Sequence, residues 1–322
     1  IEYEAGGARF NDNHKTLLSV IKRYKLSKKM YKIPSYWEFR PSSNYRKQNQ
    51  NIPFKNVEEL LGILVDYYDK PDFTDYLSKV TLFEACQDLF GITIAKYMQH
   101  SYSYYSEIKV FNGLNAIKSL KYDLSETNQF YCLGGGLSQI AVCQAMEFIN
   151  SDTSNHQNKN NMIALKTQVQ SWNYNNNLKK FIIKLLDLDS LKTVTITSTH
   201  LVLAVNGKAI KQWKPQLEQI NPKISNIIKS VTSQPLLRTY AIYESKWFKS
   251  YGKVVTDSLV KYIIPIDYKL GLIMISYTDG EYVRKMMRHI NDGTQLEAIY
   301  KSLKDIFPND KIEKKPTFLR NE

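Results

Sequence analysis

The apolar residues change their period twice along this chain, and that change limits the available folds more than any other feature. From residue 55 to about 128 they recur at helical spacing. Asn56 and Glu59 form a capping-box start, with Val57, Leu60, Leu61 and Leu64 along one face. Thr81 and Glu84 repeat that start ahead of Phe83, Ala85 and Leu89. Residues 151–161 are rich in Ser and Asn and are expected to be a loop. The period then becomes two: Ile163, Leu165, Thr167 and Val169 begin it, residues 181–183 and 194–197 continue it, and 201–205 read as a continuous apolar strand. After a boundary at Pro215, Ile224, Ile227 and Ile228 predict a helix. Residues 240–243, 262–266 and 272–277 predict strands, and 282–290 and 296–306 predict two closing helices. Helices, then strands, then a mixture, without internal repeat, point to a mixed α/β fold in which the chain crosses between two domains more than once.

With 322 residues, 43% of them hydrophobic, the chain is long enough for two domains with ordinary soluble cores. Its longest apolar runs, 201–205 and 272–275, are far too short to span a bilayer, so no membrane partner is expected. No secretion signal is visible at the N-terminus. Cys86, Cys132 and Cys143 form no C-x-x-C pair, and the five histidines are scattered. No metal site is expected, and a reduced, intracellular, cytoplasmic setting fits best. The net charge of +13 comes from lysines spread over the whole length, with Lys28-Lys29 and Lys314-Lys315 only doublets. That distribution argues against a nucleic-acid surface and suits a basic approach for anionic substrates.

Two glycine clusters punctuate the helical part. Near the start stand Gly6, Gly7, Ala8 and Arg9, followed by Asn11, Asp12 or Asn13 as the cap of a helix burying Leu17, Leu18 and Ile21. Paired glycines let backbone approach a flat ligand closely, and an arginine two residues on would offer its planar fork to a carboxylate. Gly134, Gly135 and Gly136 precede Ser138, which opens a helix through Ile140, Cys143, Met146 and Ile149.

These stretches, taken in order, resemble the flavin-containing amine oxidase and L-amino acid oxidase family. Glu4 to Phe10 and Asn13-His14-Lys15 resemble the point where such chains leave the dinucleotide fold, and Gly134 to Gln139 the return into it. Leu165 to Val169 and His200 to Ile210 resemble later strands of the cofactor domain, with Asn206 in place of the usual proline. Leu236 to Tyr243, followed by Lys246-Trp247-Phe248, resembles a substrate-domain strand, with Arg238 in place of a lysine that holds water beside the flavin. Val255 to Leu259, 262–265 and 274–280 resemble the rest of that domain, with Lys261 in place of arginine.

The resemblance implies parts of an FAD-binding dinucleotide-type domain (1–25 and 131–213) interleaved with a substrate domain, helical over 26–130 and a mixed sheet flanked by helices over 214–322. It implies an FAD-dependent oxidase of a small-molecule amine or L-amino acid, giving imine and hydrogen peroxide. Gly6, Gly7 and Ala8 would line FAD, with Val169 near the adenine. Arg9 would pair with a substrate carboxylate, and Arg238 would lie at the flavin edge. The N-terminal G-x-G-x-x-G segment and the C-terminal FAD segment are not in this sequence, which suggests a piece of a longer protein or a derivative without cofactor. A non-catalytic structural or binding protein of the same ancestry is the alternative, and a homo-oligomer stays open.

Overall fold

Strand Phe10–Asn11 (β1) leads into helix Lys15–Arg23 (α1), which packs Leu17, Leu18 and Ile21 into one core as their spacing predicts. The cap is His14, not one of the three preceding residues; the Asn11 side chain instead accepts the Asn13 amide in a local turn. The computed structural model describes residues 7, 9–34, 36–48, 51–123, 129–151 and 162–322. They divide into two units, one of residues 1–140 with 234–322 and one of residues 141–233.

In the first unit, strands Met30–Ile33 (β2) and Glu38–Phe39 (β3) and helix Ser43–Gln48 (α2) precede a run of helices. These are Val57–Tyr68 (α3), Thr74–Lys79 (α4), Leu82–Phe90 (α5), Ile92–Ser101 (α6), Tyr105–Lys109 (α7) and Gly113–Asp123 (α8). The two expected starts are present. Asn56 accepts the Glu59 amide, and Thr81 and Glu84 satisfy each other's backbone in a full capping box. Leu60, Leu61, Leu64, Leu82, Cys86 and Met98 are completely buried between these helices. Phe130–Leu133 (β4) then pairs antiparallel with both β1 and β2. Helix Ser138–Asn150 (α9) begins at the serine that the glycine turn predicts, and its residues from Ala141 on belong to the second unit.

The second unit holds an antiparallel meander of Thr167–Asn175 (β5), Lys180–Asp187 (β6) and Thr193–Ser198 (β7). Three short helices follow: Gly207–Gln212 (α10), Lys214–Ile220 (α11) and Ile224–Ser230 (α12). Trp172, Ile183 and Trp213 form the core, with Val169 packed against it. The expected strand at 201–205 does not form. Leu201 and Leu203 pack on that core while Val202 is 86% exposed, and the segment enters no sheet. Its apolar run ends at Asn206, which caps α10 by accepting the Ala209 amide. Strand β5 likewise starts only at Thr167, since Leu165 is exposed. Most of the expected loop, residues 152–161, lies outside the described residues.

The chain returns to the first unit with Leu236–Ile242 (β8), Val254–Val255 (β9), Tyr262–Asp267 (β10), Leu272–Asp279 (β11), helices Gly280–Asn291 (α13) and Gln295–Ile306 (α14), and Phe318–Asn321 (β12). Their sheet runs β12-β8-β11-β10-β9-β3, antiparallel except where β3 joins β9. Ile273 and Ile275 of this sheet share a core with Met286 of α13 and Ile299 and Leu303 of α14. The fold is mixed α/β, as the change of period requires. Among the described strands, parallel pairing is confined to β3 with β9, and an isolated bridge of Lys261 with Tyr277 is also parallel.

Candidate functional site

Strand register builds the site. Arg238 of β8 pairs with Tyr277 of β11, and Tyr277 pairs with Tyr262 of β10. Three side chains from distant parts of the sequence therefore stand in one row across the sheet. The guanidinium of Arg238 lies 4.8 Å from the centre of the Tyr277 ring, and its Nη2 donates to the Tyr277 hydroxyl at 3.3 Å. The rings of Tyr277 and Tyr262 stack with centroids 6.1 Å apart. Arg238 and Tyr262 are buried, and Tyr277 is half-buried.

Tyr104 closes over this row from the junction between α6 and α7. Its ring meets Tyr277 edge-on at 5.6 Å and Tyr262 at 6.4 Å. Both flanks of the junction are tied to the sheet. On the α6 side, Lys261 Nζ donates to the carbonyls of Gln99 and His100, each at 2.9 Å. On the α7 side, the Asp279 carboxylate accepts the amides of Tyr105 and Ser106 at 2.8 and 2.7 Å. A cation on the open carbonyls of a helix end and an anion on open amides are both favourable placements. Gly280, at φ +55°, lets the Tyr105 ring come this close: a Cβ there would stand 2.5 Å from it.

Arg9 acts on the same cluster through its charge. Its guanidinium lies 4.6 Å from the Phe130 ring centre, and its charge acts on Tyr104 and Tyr262. Burial pushes the Tyr262 phenol up to about 12, and Arg9 opposes that shift. Tyr104 is raised for the same reason, with Arg9 again opposing. Lys253 is held down to about 8, first by burial and then by Arg9. The cluster is thus a positive, aromatic-walled site in which the Tyr104 and Tyr262 phenols stay protonated at neutral pH. Such a site can bind a carboxylate or another small anion through guanidinium and phenol donors.

Of the two predicted site arginines, Arg238 contacts Tyr277, and Arg9, over Phe130, acts on Tyr104 and Tyr262 through its charge. Gly7 is exposed, with open space where a Cβ would stand. Gly6 and Ala8 lie outside the described residues. Val169 belongs to the second unit, where it pairs with Leu185 and packs against that unit's core.

A dinucleotide diphosphate needs backbone N–H groups left open at a glycine turn or helix start. The turn at 134–136 has the right strain, with Gly135 and Gly136 at φ +81° and +83°. It is closed by its own chain, however. The amides of Gly134 and Gly136 donate to the carbonyls of Lys29 and Leu133 at 2.9 and 2.8 Å, and Gln139 Nε2 donates to the carbonyls of Gly134 and Gly136. Two of the three glycine amides of this turn are therefore taken, and the turn does not offer the diphosphate of FAD a run of open amides.

The chemistry of the sheet row was hidden among 23 tyrosines in the sequence. One signal was available for its support: Lys261 interrupts the apolar run from Leu259 to Ile264. No known protein-family model matches this chain, and no curated protein matches it.

Proposed function

We propose that this chain carries the substrate side of an FAD-dependent oxidase of an amine or L-amino acid. What supports the reading is Arg238 held on Tyr277 beside Tyr262 and Tyr104, with the charge of Arg9 acting on Tyr104 and Tyr262. In this reading Arg9 takes the carboxylate of an amino acid. Arg238, held by Tyr277, supplies a fixed second cation, and the three rings keep water from the bound molecule. FAD, when bound, would accept the hydride; the residues named here bind and orient. A second reading, a carboxylate-binding protein of the same ancestry without catalysis, is favoured by the Gly134 and Gly136 amides being taken by the Lys29 and Leu133 carbonyls.

The test mixes the purified chain with FAD, desalts it, and records the visible spectrum. Binding of benzoate and of L-phenylalanine is measured alongside by calorimetry, with Arg9→Met as the comparison. Retained flavin colour with amino-acid-dependent peroxide supports the oxidase. A colourless chain that binds benzoate through Arg9 supports the binding protein. A folded chain that does neither overturns both readings.

A further inference from the structure

We propose that Lys261 is the positioning residue of the tyrosine site: its ammonium, seated on the end of α6, fixes where the Tyr104 ring stands over Tyr262. The inference rests on the proposed reading only for what the site binds, not for the geometry.

The backbone at Lys261 is left-handed, with φ +55°. That conformation is rare for a side chain as large as lysine. It is held by two hydrogen bonds in a tight turn, Lys261 N–H to Ser258 O and Thr256 N–H to Lys261 O. The kink breaks strand alternation, so consecutive side chains meet the same segment. Lys261 meets the α6 carbonyls and Tyr262 meets Tyr104. The lysine is completely buried, an unusual and costly location for an ammonium group. Only three residues separate His100, whose carbonyl Lys261 holds, from Tyr104.

The charged and titratable neighbours of Lys261 come from every element around it. Helix α6 contributes His100, the turn before β10 contributes Asp257, and Asp279 ends β11. Helix α13 contributes Tyr282; on His100 itself act Lys96 of α6 and Lys285 of α13, and Tyr45 of α2 meets its ring at 5.3 Å. The two carboxylates are committed elsewhere: Asp257 accepts the amide and hydroxyl of Ser42, and Asp279 accepts the α7 amides. The two helix carbonyls are therefore the acceptors that hold the lysine in place.

Burial holds Lys261 down to about 7, with Asp279 and Asp257 opposing, so the clamp is charged below neutrality and neutral above it. Burial and then Lys261 hold His100 down to about 4, so it stays neutral through that range. A neutral amine donates weaker hydrogen bonds than an ammonium, so the hold on α6 loosens as pH rises through about 7.

The experiment places 4-fluorophenylalanine at position 104, a ring that cannot titrate, and follows its fluorine resonance in the full chain without ligand. The expected result is a one-proton shift with midpoint near 7 in the parent chain. The shift should be absent in Lys261→Met and, in Lys261→Arg, frozen at the low-pH position. A resonance that titrates identically in Lys261→Met overturns the proposal. If that variant does not fold, the parent titration and Lys261→Arg decide, because an unmoved parent resonance is equally fatal. Benzoate affinity is measured on the same samples. A Lys261-dependent titration without benzoate binding keeps the positioning role and removes the substrate reading; binding without titration does the reverse.

Discussion

Lys261 carries a charge to a place where lysine is rarely found, and that has a consequence for stability. Its folded-state value near 7 lies below the ordinary 10.5, chiefly through burial. Between those values the unfolded chain binds a proton that the folded chain does not. Stability from this group therefore rises with pH above about 7 and is lost as pH falls towards it, with a slope approaching about 1.4 kcal/mol per pH unit. His100, held near 4 by burial, acts with the same sign at lower pH. Urea unfolding from about pH 7 to about pH 9 should show the rise in the parent and its loss in Lys261→Met. An unchanged slope in the variant would refute the assignment. Arg238 makes a second residue-scale case. A hydrogen bond involving a charged group contributes roughly 1.5–3 kcal/mol, so Arg238→Met should weaken benzoate binding by about tenfold or more. Calorimetric titration would measure it, and an affinity equal to the parent's would remove Arg238 from the site.

At the scale of elements, the parts built from local contacts were legible and the parts built from pairing were not. Thr81 and Glu84 stand three residues apart, so their capping box could be read directly, and it forms. Replacing Thr81 with alanine should cost about 1 kcal/mol, measured by the shift in urea midpoint. The run at 201–205 misled because continuous apolar residues signal burial without saying whether a strand partner exists. Here only Leu201 and Leu203 have a core to reach. The row Arg238, Tyr277 and Tyr262 was invisible for a related reason. Period-two alternation gives the face of each strand but not its register against another. The turn joining β10 to β11 shows how that register is fixed. Asp267 Oδ1 accepts the amides of Lys269 and Leu270, and Gly271 follows at φ +73°. A Cβ on Gly271 would stand 2.3 Å from the Tyr243 carbonyl oxygen, on the strand side that pairs with β11. Gly271→Ala should therefore destabilise by more than about 1 kcal/mol, since strain at positive φ adds to a backbone clash. A variant that unfolds at the parent's urea midpoint would show that the turn relaxes freely.

At the scale of the whole molecule, the first unit is assembled from two separate stretches of chain. Pairing of β3 with β9, the bonds of Lys261 to α6, those of Asp279 to α7 and those of Asp257 to Ser42 all join the early stretch to the late one. Neither stretch holds the tyrosine site alone: Tyr104 and Arg9 come from one, Arg238, Tyr262 and Tyr277 from the other. The second unit has its own meander and its own tryptophan core. Two units with separate cores are expected to unfold in separate calorimetric transitions. The transitions can be assigned by deleting one buried side chain from each. Leu60→Ala removes a fully buried leucine between α3 and its neighbours, at a cost of about 2–5 kcal/mol, and should lower one transition only. Trp172→Ala empties the meander's core at a cost of about 3–5 kcal/mol and should lower the other. Benzoate should raise the transition that Leu60→Ala lowers, because mass action stabilises only the unit that holds the site. A single transition moved by both substitutions would mean that the two cores melt as one cooperative body.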